Sequence, residues 1–507
     1  MDVRTVVQFA VFTRVATLLL QAVCNALIPD HAADAFSPPR AEEPRLLDPP
    51  VEALLGGLSR WDAEHFLFIA ERGYLYEHNF AFLPLLPLAL RAVAGVLLRP
   101  LAGWLTVRGR LLLAVAGLNS VLFVLSTLAL YGLGRVTLGD RRLALLSSLL
   151  LCLSPANVFL AAGYSESLFA ALTFGGVWLL ERGSPLRASL VLSLATAARA
   201  NGLVNAGFLV YLPLRWGLTQ AGGVCARGAG RLRSSLRLIW IALRVLLTAG
   251  LGSALIILPF AVFQLYGYWT FCMPSLRPEQ VSPALLELVR VKGYRVPDAS
   301  GPLPVWCSQR LPLLYSYIQD AYWDVGFLRY FQLRQIPNFL LALPMAALVA
   351  MAAWTYAAAN PALCLRLGLW GEGLKPGAEK PSAGFLSPRV LVYVVHATVL
   401  LGFGFFCMHV QVLTRFLASS SPVLYWFSAH LLLHYEPLLQ QREEEEEEQS
   451  SLAGLPRALW SILPHNLLTQ LLLHWSSCSI LTRCLLGYFT SYWLLGLVLH
   501  CNFLPWT

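Results

Sequence analysis

Apolar residues in this chain gather into long, nearly uninterrupted runs, with the polar positions collected between them. Runs of the length needed to cross a bilayer as helix fall at about 5–28, 80–98, 111–134, 143–162, 166–181, 186–214, 238–264, 336–358, 390–413, 421–434 and 484–504, with a weaker candidate at about 458–475. The pattern predicts an all-α polytopic membrane protein with roughly eleven or twelve spans. A β-barrel would show short alternating segments instead. Arg14 interrupts the first run, so that run reads as a retained first helix rather than a cleaved signal peptide.

The polar intervals predict the topology. Arg215, Arg227, Arg231, Arg233 and Arg237 stand in one interval without an acid, which marks it as cytosolic. Arg99, Arg108 and Arg110 mark a second cytosolic loop by the same rule. Strict alternation then puts the N-terminus in the cytosol and two long loops, 29–79 and 265–335, on the far side. It also puts the hairpin from Gly163 to Glu166 on the cytosolic side. The Arg/Gly-rich stretch Gly222 to Gly230 and the Pro/Gly stretch Lys375 to Pro388 read as connectors. The unbroken acids Glu443 to Glu448 lie in an expected disordered linker, 435–457. Residues 1–507 form one membrane domain by this reading, and no internal repeat supports a transporter.

Composition agrees. Of 507 residues, 57% are apolar and 13% charged, against about 25% charged in an ordinary soluble domain. Mean hydropathy is +0.61, too apolar for one soluble core. The net charge of +9 does not imply nucleic acid, because only Lys292, Lys375 and Lys380 are lysines and the arginines sit mostly in short loops. The ten cysteines include no Cys-x-x-Cys pair, so a structural zinc site is not expected, and no sequence feature demands another metal. His396 and His409 lie on apolar segments and read as hydrogen-bonded interior histidines. Arg199 with Asn201 lies inside an apolar run. An intramembrane charge there is a candidate for function, and capping a helix break beside Gly202 is the competing reading.

Chemistry concentrates just after the first run, in Ser59-Arg60-Trp61-Asp62-Ala63-Glu64-His65-Phe66 and on through Ile69 to Tyr74 and Glu77-His78-Asn79-Phe80. Helical spacing puts Trp61, His65 and Phe68 on one stripe and Asp62, His65 and Phe66 on the next. A short amphipathic helix on the membrane surface is predicted, holding a carboxylate at headgroup height.

The Arg60–Phe66 run resembles the signature of the phosphatidylinositol-glycan class V family, the glycosylphosphatidylinositol (GPI) mannosyltransferases that add the second mannose. Four further blocks are similar to that family: Leu153 to Glu166, Tyr315 to Asp320, Met408 to Phe416 and Leu499 to Thr507. The clearest departures are the basic loop after Arg215 and the acidic linker. The resemblance implies a GT-C fold in the endoplasmic reticulum membrane and an active site facing the lumen. It further implies dolichyl-phosphate mannose as donor, a monomannosylated GPI lipid as acceptor, and an α-1,6 product formed with inversion and no cofactor. Such a reaction needs a carboxylate base, for which Asp62 is the candidate and Glu64 the reserve. It also needs a cation for the leaving phosphate, a role that suits Arg415. Trp61, His65, Gln411 and His409 complete the expected substrate contacts. Cys272 and Cys307 share the second long loop, whose polar, Pro-rich chain is costly to order, and an oxidising lumen favours a disulfide between them. A transporter or scramblase, or a non-catalytic subunit of a mannosyltransferase complex, are the competing readings. Loss of Asp62 would leave the subunit unharmed.

Overall fold

The protein is described from a computed structural model covering residues 2–40, 42–226, 231–274, 281–369, 383–440 and 464–504. Those residues form helices and connecting turns, with no strand among them. This is what lipid requires, since a helix satisfies its own backbone polar groups.

The first part of the chain comprises α1 (Asp2–Leu27), α2 (Asp48–Leu55), α3 (Asp62–Arg72), α4 (Leu85–Ala92), α5 (Val107–Thr137), α6 (Arg141–Cys152) and α7 (Asn157–Ala161). There follow α8 (Glu166–Glu181), α9 (Pro185–Ala198), α10 (Ala206–Ala226), α11 (Arg231–Cys272), α12 (Pro283–Lys292) and α13 (Leu314–Ala321). The last group is α14 (Ile336–Ala359), α15 (Pro361–Leu365), α16 (Leu391–Cys407), α17 (Leu413–Ser420), α18 (Val423–Tyr435), α19 (Leu467–Leu473) and α20 (Ile480–Cys501). Among the described residues, six are long and apolar enough to cross a membrane: α1, α5, α11, α14, α16 together with the 3-10 turn Pro388–Val390 before it, and α20. Helices α17 and α18 pass the same test together but are bent by 78°. The bend falls at Ser421-Pro422, where proline disfavours helical backbone in the residue before it. The other expected spans are built from shorter or broken helices. The run at 143–162 divides into α6 and α7, and that at 186–214 breaks at a 3-10 turn, Ala200–Asn205, between α9 and α10.

Helices α5, α8 and α9 pack side by side, with α11 against α9. A Cβ on Gly176 would lie 2.6 Å from the Leu192 side chain, so glycine there lets α8 and α9 approach closely. Leu243, Leu246, Leu247 and Leu251 on α11 stay exposed, as a lipid-facing surface would be.

Two topological expectations are corrected. The run at 80–98 is not a full span: α4 is followed by a π turn, Val93–Leu97, and the chain stays on the face it started from. The Thr106 hydroxyl donates to Asp48 at 2.9 Å, Arg45 donates to the Ala102 carbonyl, and Arg108 binds Glu64. Residues 99–110 therefore adjoin the first long loop rather than forming a loop on the opposite face. Helix α5, about 46 Å long at 1.5 Å per residue, then runs to the other face, where Asp2 at the start of α1 pairs with Arg141 at 2.5 Å. This reversed parity moves the Gly163–Glu166 hairpin to the long-loop face, where the Gly163 N–H donates to the Leu58 carbonyl at 2.9 Å.

The second long loop has a small core. Phe263, Phe271, Trp306, Leu314 and Ile318 pack with Phe80 and Leu83 of the first loop region. Buried Glu77 accepts from Trp306 Nε1 at 2.9 Å and from the Tyr322 hydroxyl at 2.8 Å, tying the two segments together. Cys272 and Cys307 are joined by a disulfide with Cα atoms 5.6 Å apart. The acidic run Glu443 to Glu448 lies outside the described residues.

Candidate active site

Helix α3 has the local signals of a short helix. Asp62 and Glu64 stand in its first turn and Arg72 in its last, each favourable to the helix dipole, and Gly73 at φ 85° ends it. It does not lie on a surface as expected: Ala63, Leu67 and Ala70 are buried, and the helix is packed into the fold. Its start is strained. Trp61 has φ 56°, a left-handed conformation costing on the order of 1–3 kcal/mol in a non-glycine residue. The end of the chain holds it there. The Trp61 ring meets Phe503 edge-on at 5.7 Å, and the Arg60 guanidinium lies 4.9 Å over the same ring. Arg60 also pairs with Asp30 at 2.9 Å.

This turn aims Asp62 at a cluster of charges from three distant parts of the chain. Arg415 Nη2, on α17, donates to Asp62 Oδ2 at 2.7 Å. Arg415 Nη1 lies 3.4 Å from Glu166 Oε1 at the start of α8, and Arg199 Nη1 at the end of α9 lies 2.5 Å from that same oxygen. Tyr164 accepts the Asp62 backbone N–H at 3.2 Å, and its ring lies 5.0 Å beneath the Arg415 guanidinium. The side chain of Glu166 is wholly buried and that of Arg415 is 10% exposed, whereas that of Asp62 is 35% exposed. Among the described residues, Asp62 Oδ1 takes no hydrogen bond. A carboxylate anchored through one oxygen and open at the other can accept a proton from a bound hydroxyl.

The remaining expected residues are placed differently. Glu64 points away from this cluster into a bidentate pair with Arg108, at 3.0 and 2.6 Å, with Arg40 at 3.4 Å. His65 is sandwiched between Phe36 at 4.3 Å and Phe82 at 4.5 Å, and burial pushes its pKa down to about 3. Gln411 accepts from the Tyr330 hydroxyl at 3.0 Å and His409 stacks on the Tyr330 ring at 4.7 Å, so both join α17 to the second long loop. His396 packs 4.7 Å from Phe208 with neither ring nitrogen hydrogen-bonded among the described residues, contrary to the expectation for it. Sequence reasoning raised Arg199 as a candidate for function but joined neither it nor Glu166 to Asp62 and Arg415. The signals were an arginine within an apolar run and the polar Tyr164-Ser165-Glu166 turn, but the parity error had placed that turn on the wrong side. Among the described residues, no three His, Cys, Asp or Glu side chains form a group that could hold a metal ion.

The chain matches the sequence profile described as "Mannosyltransferase (PIG-V)" over residues 3–507. It is 52% identical to human GPI alpha-1,6-mannosyltransferase 2, across 99% of this chain and 98% of that protein. It is 32% identical to GPI mannosyltransferase 2 of Drosophila melanogaster, across 84% of this chain and 90% of that one. Among solved structures, it resembles the apo oligosaccharyltransferase of Archaeoglobus fulgidus at 15% identity and a TM-score of 0.43, covering 94% of this chain and 56% of that one. A profile match from end to end, with the signature aspartate held at the meeting point of three of the matching blocks, leaves one assignment: the chain belongs to the PIG-V family of mannosyltransferases, multi-pass membrane glycosyltransferases.

Proposed function

We propose that this protein transfers mannose in α-1,6 linkage from dolichyl-phosphate mannose to a GPI lipid already bearing one mannose, at a site facing the endoplasmic reticulum lumen, with no metal or other cofactor. The observation that carries the mechanism is Asp62, anchored by Arg415 through one oxygen and open at the other. In this reading the acceptor 6-hydroxyl oxygen attacks the anomeric carbon of the β-linked donor as its proton passes to Asp62. The bond from that carbon to the phosphate oxygen breaks, its electron pair leaves with dolichyl phosphate, and configuration inverts. The Asp62 charge also stabilises the positive charge that develops on the sugar.

Arg415 takes a modified part. Its two terminal nitrogens are directed at Asp62 and Glu166, so it orients the base first and meets the leaving phosphate through its charge rather than a free bidentate fork. Support for the lumenal side comes from the Cys272–Cys307 bridge, which belongs to an oxidising compartment.

The test is transfer by purified protein from dolichyl-phosphate mannose to the monomannosylated GPI lipid, with and without EDTA, for wild type and Asp62→Asn. Loss of a general base typically costs about 10²–10⁴-fold in rate, expected here with folded protein recovered. Near-normal transfer by Asp62→Asn refutes its role as base, and absence of transfer by the purified wild type favours a non-catalytic subunit. Abolition by EDTA refutes the metal-free reaction.

A further inference from the structure

Buried charge in a membrane protein is expensive, and Glu166 is the most deeply buried carboxylate of the site, with no exposed side-chain surface. It cannot touch a substrate. Its Oε1 oxygen instead stands between two arginines, Arg199 at 2.5 Å and Arg415 at 3.4 Å, and Arg415 continues to Asp62 at 2.7 Å. The order is base, cation, buried acid, cation, with two charges of each sign. A second link joins the same elements: Asn201, just past the α9 break, donates to Ser420 Oγ at the end of α17 at 2.9 Å. The break between α9 and α10 is thereby wired to the helix that carries Arg415.

We propose that Glu166 and Arg199 are positioning residues that set how strongly Arg415 holds Asp62, and so how readily the open oxygen of Asp62 takes the acceptor proton. The inference rests on Asp62 being the base. Glu166 draws Arg415 toward itself and away from Asp62, and Arg199 limits that pull by neutralising Glu166.

The other groups facing Asp62 are few. On its own segment Arg60 is paired with Asp30, whereas Glu64 turns away to Arg108 and His65 lies between Phe36 and Phe82. Tyr164 faces it from the hairpin before α8, and His500 from α20, whose ring lies 5.4 Å from Tyr164. Neither substitution, at residue 166 or at residue 199, removes any of these groups. The signs of two substitutions are therefore opposite. In Glu166→Gln, Arg415 acts on Asp62 alone and the base is harder to protonate. In Arg199→Gln, Glu166 competes for Arg415 unopposed and the base is easier to protonate.

The experiment is a pH profile of kcat and kcat/KM for mannose transfer by purified full-length protein, with dolichyl-phosphate mannose and the monomannosylated GPI lipid. Wild type is compared with Glu166→Gln, Arg199→Gln and the double variant, all normalised to monodisperse folded protein. The acid limb is expected to move to lower pH in Glu166→Gln and to higher pH in Arg199→Gln, and to return toward wild type in the double variant. Each single variant is expected to lose up to about 10²-fold in kcat, the scale of a misplacement near 1 Å, with donor KM little changed. Limbs that stay in place while activity falls only with the folded fraction overturn the inference, as do two shifts of the same sign. Should the single variants fold poorly, the charge-conserving Glu166→Asp and Arg199→Lys are measured instead: lowered kcat with unchanged KM supports the positioning role and wild-type kcat overturns it. An Asp62→Asn control separates the two levels, since its full activity refutes the base itself. An inactive Asp62→Asn with unmoved limbs refutes only the relay.

Discussion

Glu64 tests whether the charges around α3 have been sorted correctly. Its carboxylate makes two bonds to Arg108 and one longer one to Arg40, with the Glu64 and Arg108 side chains only 11% and 10% exposed. Glu64→Gln keeps the shape and removes the charge, leaving a buried guanidinium without a counter-ion. Breaking a buried pair in this way costs about 3–5 kcal/mol, and the lower end applies because Arg108 keeps an amide acceptor. Against a total stability of about 5–15 kcal/mol, this is a large loss. It should appear as a melting-point decrease of roughly 3–10 °C for the detergent-solubilised protein, read by fluorescence-detected size exclusion. The double variant Glu64→Gln/Arg108→Gln should recover much of it, because no buried charge is then uncompensated. Mannose transfer per folded molecule should stay within a few-fold of wild type. Normal thermal stability combined with lost transfer would refute the argument and make Glu64 a participant in the chemistry.

Three further outcomes follow from the geometry. Arg415→Ala should lower kcat by about 10²-fold through loss of the Asp62 anchor, and Arg415→Lys should restore only part of it, since a point charge cannot span two carboxylates; steady-state transfer at saturating donor checks both. Cys272→Ser should destabilise the second long loop by about 3–4 kcal/mol, less any strain released, for a bridge with a sequence separation of 35; differential alkylation that finds both thiols free in wild-type protein would remove the basis for this. His78 is buried against Tyr294 at 4.2 Å and its pKa is pushed down to about 2, first by burial and then by His65. Because the folded value lies below the unfolded one, its contribution is intact above about pH 6.5 and is lost as pH falls, by about 2 kcal/mol at pH 5. His78→Phe should therefore reduce the fall in melting temperature between pH 7 and pH 5, and an unchanged slope would contradict the assignment.

What could be read from sequence and what could not divides at one segment. Helices such as α5 and α20 follow directly from uninterrupted apolar runs, and α3 from the crowding of Asp62, Glu64 and His65 beside hydrophobic positions. The run at 80–98 has the apolarity of a span but not its regularity: Pro84, Pro87 and Gly95 punctuate it, and Pro100 follows. Hydropathy averages over such residues, whereas the backbone does not, and the helix ends in a π turn after a few turns. Topology is a parity count, so one span too many inverts every later assignment until a second error cancels it. That inversion hid Glu166, because its partners lie on the face it was denied.

Charge balance supplies a check that hydropathy lacks. Asp62 and Arg415 stand 353 residues apart, and no local pattern predicts their contact. Yet Arg199, Arg415 and Glu166 all sit where apolar segments are interrupted, at the ends of α9, α17 and α8, and a membrane interior tolerates such charges only when they meet their opposites. With Asp62 they sum to zero. Placing Glu166 on the opposite face would leave a net positive cluster beside the base and a lone buried carboxylate some 30 Å away across the hydrocarbon. Of the two parities, only the observed one pairs these four charges. The same constraint that corrects the topology also assembles the site, because the neutral arrangement is the one that brings Arg415 to Asp62.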